Sequence, residues 1–349
     1  MKAFKYLLFL LLIIIIGASI YIEVQPNTYT FSRSRIIAAP TPVIFNEVND
    51  YKNWPHFSPW LEQEPEVQLT YLEKTSDIGA GYAWKGTILG EGKMTTLAVS
   101  ENKSIAQKIN FIKPFESESD IHWTFEPQND STKVTWTMSG KLDFMSKMYT
   151  TFSAPFEKTV GPDFERGLFK LDSVSMASMK AYSIKVMGIT QHGGGYYLYK
   201  TTSCKISELP NKTQTMLPTI AAYVYKNNIS TNGIPFVNYH KWDEENNAVM
   251  FSCCIPTTEK MISTESDILT GQLPPFSAVK TILKGNYSYL NEAWAKGASY
   301  IQENGLETLE QGPTIEVYSN LERNLPNPAD WITEIYIAIQ PLEDSFKMK

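Results

Sequence analysis

Near the end of the chain, Glu334 and Tyr336 stand two residues apart in the run "WITEIYIAIQP", Trp331 to Pro341. A carboxylate can pair with a cation or take a proton from water, and a phenol beside it can donate a hydrogen bond or present a ring face. In a strand successive side chains alternate, so Trp331, Thr333, Ile335, Ile337 and Ile339 share one face while Ile332, Glu334, Tyr336, Ala338 and Gln340 share the other. The first face reads as core. The second is mixed and suits the wall of a cavity, because an unpaired charge in a dry interior is costly. An edge strand with Glu334 in water, or an ion pair to a neighbouring strand, fits the same residue types.

Other chemistry is sparse. The four histidines, His56, His122, His192 and His240, are scattered far from any Cys-x-x-Cys, so neither a metal nor a cofactor is expected. The three cysteines, Cys204, Cys253 and Cys254, allow one bridge at most, from Cys204 to one of the pair. "HGGG", His192 to Gly195, is similar to an esterase oxyanion loop, but that loop serves a GxSxG nucleophile and the chain has none. Three glycines ahead of a strand read as a flexible junction.

The elements that must position these residues fall into three parts. Lys2 and Lys5 precede "YLLFLLLIIIIGASIYI", Tyr6 to Ile22, an uncharged run at the short end of what crosses a bilayer as a helix. Basic residues ahead of it predict a cytoplasmic amino end with the rest of the chain extracytoplasmic, periplasmic in a Gram-negative host. A secretory signal cut after Gly17, Ala18 and Ser19 competes with an uncleaved anchor. The run continues through Ile20, Tyr21 and Ile22, which favours the anchor. No Cys follows closely, so a lipid-modified terminus is not supported.

With 349 residues, 43% hydrophobic and 13% aromatic, the chain is long enough for two cored domains after this segment. A net charge of −6 and the lack of a basic helix-turn-helix pattern argue against nucleic acid as a partner. The expected division is 1–26 anchor, 27–185 first domain, 186–195 linker and 196–349 second domain. The fold class is α+β.

In the first domain "TYTFSRSRIIA" has strand composition. "TPVIFNEVNDYKNW" follows as a short helix with Thr41 at its N-cap and Pro42 at the first helical position. "NWPHFSPWL" is too irregular for a long element. Six strands follow, "EVQLTYLEK", "GAGYAWKGTIL", "GKMTTLAVSEN", "SIAQKINFIKP", "SDIHWTFEPQ" and "STKVTWTMSGKL", an antiparallel meander. Beyond Met148 helical spacing through Phe164, Leu168, Leu171, Val174 and Met179 predicts a long closing helix, broken early by "VGPD". On "AAPTPVIFNEVNDYKNWPHFSPW", "GAGYAWKG", "LGEGKMT" and "STKVTWTMSGKL" the half resembles the polyketide cyclase/START-like (SRPBCC) superfamily. The resemblance implies a helix-grip sheet wrapped on a long helix around an apolar ligand cavity. Trp54, Trp60, Trp84, Trp123 and Trp136 could line it or fill a solid core.

The second domain carries an internal repeat. "GIPFVNY", Gly233 to Tyr239, aligns without gaps on "GPTIEVY", Gly312 to Tyr318. With an opening strand and a helix before each, and another strand after, the pattern is strand-helix-strand-strand twice, both helices on one side of one sheet. "ILKGNYSYLNEAWAKGASYIQENGLE", "GPTIEVYSN" and "ADWITEIYIAI" resemble the GyrI-like family, the effector-binding domain of multidrug-responsive regulators. The resemblance implies that an acid in the final strand, here Glu334 with Tyr336 beside it, meets lipophilic cations in an aromatic pocket. Tyr239, Trp294 and Tyr318 are the expected companions. Ala338 stands where the family pattern has Pro.

The leading expectation is a membrane-anchored protein that senses or sequesters small molecules, hydrophobic in the first domain and lipophilic or cationic in the second. One alternative is a hydrolase of electrophilic small molecules with Glu334 as general base. Another is a protein-interaction module.

Overall fold

The structure, a computed structural model, describes residues 2–114, 116–320 and 325–341, and divides into two compact units, residues 1–178 and 179–349. Helix α1 (Lys2–Glu23) opens the first unit. Its segment Phe4–Glu23 is long and apolar enough to cross a membrane and is almost wholly exposed, a character that a secretory signal shares.

After α1 come β1 (Thr28–Ile37), α2 (Thr41–Asn49), α3 (Trp54–Phe57), α4 (Pro59–Gln63), β2 (Gln68–Tyr71), β3 (Gly81–Lys85), β4 (Glu91–Ser100), β5 (Ser104–Lys113), β6 (Ser117–Gln128), β7 (Ser131–Lys141), α5 (Phe144–Phe152) and α6 (Phe156–Met179). The strands form one antiparallel sheet in the order β1-β7-β6-β5-β4-β3-β2. Alternation sets its buried face: Ile121, Trp123 and Phe125 on β6, and Val134, Trp136 and Met138 on β7, point inward.

The aromatic residues fill this unit's core. Trp123 stacks on Trp136 at 4.3 Å, Trp136 on Phe164 of α6 at 4.0 Å, and Trp54 stands edge-on to both tryptophans. Gly167 lets α6 come this close, since a Cβ there would lie 2.7 Å from the Trp136 ring.

Two local expectations are corrected. Thr41 lies inside α2, whose N-cap is Pro40, and its hydroxyl bonds Thr132 instead of a helix amide. "VGPD" does not break the closing helix: α6 runs through Pro162, and the break falls ahead of it between Phe152 and Phe156. Buried Phe164, Leu168 and Leu171 hold the helix on the sheet and outweigh the lost amide of Pro162.

The second unit contains β8 (Ser183–His192), β9 (Gly195–Lys205), α7 (Leu209–Lys226), β10 (Phe236–Asp243), β11 (Ala248–Thr257), β12 (Leu269–Leu273), β13 (Phe276–Lys284), α8 (Leu290–Glu303), β14 (Thr314–Tyr318) and β15 (Ile332–Ala338). Its antiparallel sheet has the order β12-β9-β11-β10-β14-β15-β13-β8. Most of the segment expected as a linker, 186–195, is therefore edge strand β8, paired with β13. Only Gly193 and Gly194 turn between β8 and β9, and Gly194 takes a positive φ of 71° that a residue with a Cβ rarely adopts. All three cysteines are free.

Candidate functional site

β10 and β14 are the two middle strands of the second sheet. Helix α7 packs over β9 and β11, and α8 over β13, β15 and β8, so neither helix packs on the two middle strands to the same extent. The register pairs Val237 with Glu316, flanked by Phe236 with Val317 and Asn238 with Ile315. Across β14 and β15 Glu316 faces Ile335 while Glu334 faces Val317. Directly opposed residues share a face, so the two carboxylates leave opposite sides of the sheet.

Glu316 points to the helix side, with Ile335, which packs on Ala293 of α8. It is 2% exposed. One carboxylate oxygen accepts from Trp294 Nε1 of α8, and the other accepts from the hydroxyls of Tyr239 on β10 and Tyr318 on β14, each at 2.9 Å. Tyr239 is edge-on to Trp294 at 5.8 Å, and Tyr287 is edge-on to Tyr318 at 5.5 Å. Among the described residues Glu316 has no ion pair. Burial pushes its carboxyl above the ordinary value, and the bonds from Trp294, Tyr318 and Tyr239 only partly offset this. Burial, reinforced by the Glu316 charge, likewise raises Tyr239 and Tyr318, so both phenols keep their protons. Three neutral donors, and no cation among the described residues, thus hold this carboxylate.

Glu334 is placed differently. Lys280 of β13 lies directly across from Tyr336, and its Nζ is 2.8 Å from Glu334. The Tyr336 hydroxyl donates to the same carboxylate at 2.6 Å, and Lys280 Nζ lies 5.2 Å from the Tyr336 ring centre. Burial opposes ionisation of Glu334, but the bonds from Lys280 and Tyr336 prevail and bring its pKa below the ordinary value. Burial also works against the Lys280 charge, and Glu334 and Tyr336 together outweigh it, so its pKa rises. A carboxylate so engaged is a weak base for activating water. His192, edge-on to Tyr336 at 5.2 Å, is pushed toward its neutral form by burial and by Lys280.

Of the five residues named from the sequence, the structure brings Tyr239, Trp294 and Tyr318 together, and separately Glu334 with Tyr336. The acid at the centre of the three, Glu316, was not named. The repeat held its signal: in the gapless alignment Tyr318 falls on Tyr239 and Glu316 on Val237, an acid where the other copy is apolar.

Residues 37–169 match the family model for polyketide cyclase/dehydrase and lipid transport, and residues 196–340 match that of the GyrI-like small molecule binding domain. The chain is a polyketide cyclase-type domain followed by a GyrI-like domain. Both carboxylate clusters, with Lys280, Glu316 and Glu334, fall within the second match, while β1 except Ile37 and all of β8 lie outside the matched residues. Among solved structures, the C-terminal domain of EcmrR is similar at 20% identity and TM-score 0.39, covering 46% of this chain and 98% of that one. SAV2435, solved with tetraphenylphosphonium, is 12% identical with TM-score 0.36, covering 46% and 98%. Protein CV1439 from Chromobacterium violaceum is 13% identical with TM-score 0.33, covering 42% and 96%. No curated protein matches the chain.

Proposed function

We propose that this is a membrane-anchored small-molecule-binding protein whose GyrI-like domain takes a lipophilic cation at Glu316. The observation that carries the reading is a 2%-exposed carboxylate held by Trp294, Tyr239 and Tyr318 with no cation among the described residues. A buried carboxylate in such surroundings is costly until a positive charge joins it, and ring faces add attraction for a delocalised cation. Entry requires the aromatic side chains that enclose the acid to part. Glu334 is the competing carboxylate, and Lys280 already neutralises it.

Two strand-helix-strand-strand units meeting at the Val237–Glu316 pair account for the paired tyrosines, one from each unit. In the first domain, read as a sheet gripping α6, the stacked aromatic core leaves Gln107 Nε2 and Trp136 Nε1 without partners among the described residues. An apolar ligand carrying an acceptor oxygen would satisfy them only if the stacked rings part to admit it. Helix α1 is read as an uncleaved anchor with the two domains outside the cytoplasm.

The test is calorimetric titration of the full chain in lipid nanodiscs with tetraphenylphosphonium, wild type beside Glu316→Gln and Glu334→Gln. Saturable binding abolished only in Glu316→Gln is the expected result. Binding lost only in Glu334→Gln would move the site to the other face of the sheet. A reporter active only outside the cytoplasm, fused after Lys349, tests the topology.

A further inference from the structure

Helix α5 is amphipathic the wrong way round. At about 100° per residue, Phe144, Met148, Phe152, Met145 and Tyr149 fall within one arc of about 140°. That arc faces outward: Phe144 is 41% exposed, Met145 61%, Tyr149 53% and Phe152 72%. The side turned to the protein carries Lys147, which is only 2% exposed. A surface helix in water has the reverse pattern, with its apolar stripe inward. A contiguous exposed patch of this kind marks a contact with something apolar.

What lies beside it identifies the contact. α5 packs against α1, and Lys147 Nζ donates to the carbonyl of Glu23, the last residue of α1, at 2.8 Å. The bond satisfies one of the carbonyls that a helix leaves open at its C-terminus and sets a positive charge at the negative end of its dipole. The connection is doubled, because Leu142 N donates to the Asn27 carbonyl at 2.8 Å. The segment Phe4–Glu23 has 20 residues, and as a helix it spans about 30 Å, the thickness of a bilayer's hydrocarbon core. If Glu23 marks the exit from the bilayer, an element bonded to its carbonyl lies at the membrane surface.

We propose that α5 lies in the plane of the extracytoplasmic interface of the membrane that α1 crosses, with Phe144, Met145, Tyr149 and Phe152 among the upper acyl chains. The proposal rests on the reading of α1 as an anchor. Phe, Met and Tyr on one side of a short helix suit the boundary between headgroups and chains. Asp143, exposed and capping α5 through Ser146 N at 2.7 Å, stays at the level of the headgroups. The protein is then held at two points, a span and a float, which fixes the first domain's orientation toward the lipid in a way that a lone tether does not.

The test uses the full chain in phosphatidylcholine vesicles doped with a phospholipid carrying a photoactivatable diazirine in its acyl chain, with labelled residues mapped by mass spectrometry. The expected result is label in α1 and also on the outward residues of 144–152. In the double variant Met145→Ser with Phe152→Ser, whose sites are exposed, thermal unfolding should be unchanged and label over 144–152 should fall several-fold while label in α1 stays constant. Label in α1 with 144–152 clean would overturn the proposal and leave the anchor standing, as when a second copy or another protein covers α5. Label undiminished in the double variant would overturn it too. Label in neither helix would remove the anchor itself.

Discussion

Replacing Glu316 by Gln keeps the shape of the side chain and removes its charge. In the ligand-free protein one amide oxygen can still accept from Trp294 while the amide nitrogen donates to the oxygens of Tyr239 and Tyr318, whose hydroxyls rotate to suit. The fold should therefore tolerate the change. Because burial raises the Glu316 pKa, the folded state binds this proton more tightly than the unfolded chain. Glu316's favourable contribution is complete below the unfolded pKa and is lost as pH rises through the folded one. Above that point Glu316→Gln should match or exceed wild type in unfolding midpoint. Binding should respond in the opposite sense. A cationic centre about 5 Å from the carboxylate, at an effective dielectric of about 20, gains about 3 kcal/mol, on the order of a hundredfold in Kd. Calorimetry at pH 8 with tetraphenylphosphonium, and with neutral triphenylphosphine oxide as control, measures both. The cation should lose on the order of a hundredfold and the neutral compound little. A cation Kd that stays within about threefold of wild type, in a variant that folds normally, would refute the assignment.

Four further outcomes follow from the same geometry. Cation affinity in the wild type should fall as pH drops through the raised Glu316 pKa, with proton release on binding that disappears in Glu316→Gln; titrations in buffers of different ionisation enthalpy measure it. Glu334→Gln should leave cation binding nearly intact and cost about 1 kcal/mol of stability, read from denaturant unfolding, because Lys280 loses a partly buried partner. Glu64 accepts backbone N–H bonds from Leu89, Thr87 and Ile88, which bring its pKa from 4.5 down to about 2. Its support of the turn between β3 and β4 is present above 4.5 and lost as pH falls toward about 2, a change that exchange protection at these amides should follow. Gly167→Ala should cost about 1–3 kcal/mol in denaturant unfolding despite the better helix former, because the new Cβ meets a Trp136 ring already stacked on both sides.

Much of the fold was legible where burial is one-sided. β6 and β7 alternate large apolar and polar residues because one face of their sheet meets α6 and the other meets water, and a period of two survives in such strands. β8 was hidden for the opposite reason. It is an edge strand whose Met187 and Ile189 are exposed, and it carries Gly188, so its composition resembles the glycine-rich turn that follows. Pro162 sits inside α6 against the local rule for helix interiors because Phe164, Leu168 and Leu171 are committed to the sheet. Propensity is a local quantity, and the packing that overrides it is not.

The site was legible as a set of residue types but not as a partnership. Glu334 interrupts an apolar strand, and a charge in that setting needs a counter-charge. Its partner is Lys280, more than fifty residues away in sequence and brought beside it by a register that no spacing encodes. Glu316 raises the same need in a five-residue strand and finds no cation among the described residues, only two phenols and an indole. The distinction between the two acids is therefore made by the sheet. One is a completed ion pair on the face away from α8, and the other is a charge on the helix side unanswered among the described residues, so a cationic ligand should find its partner at Glu316.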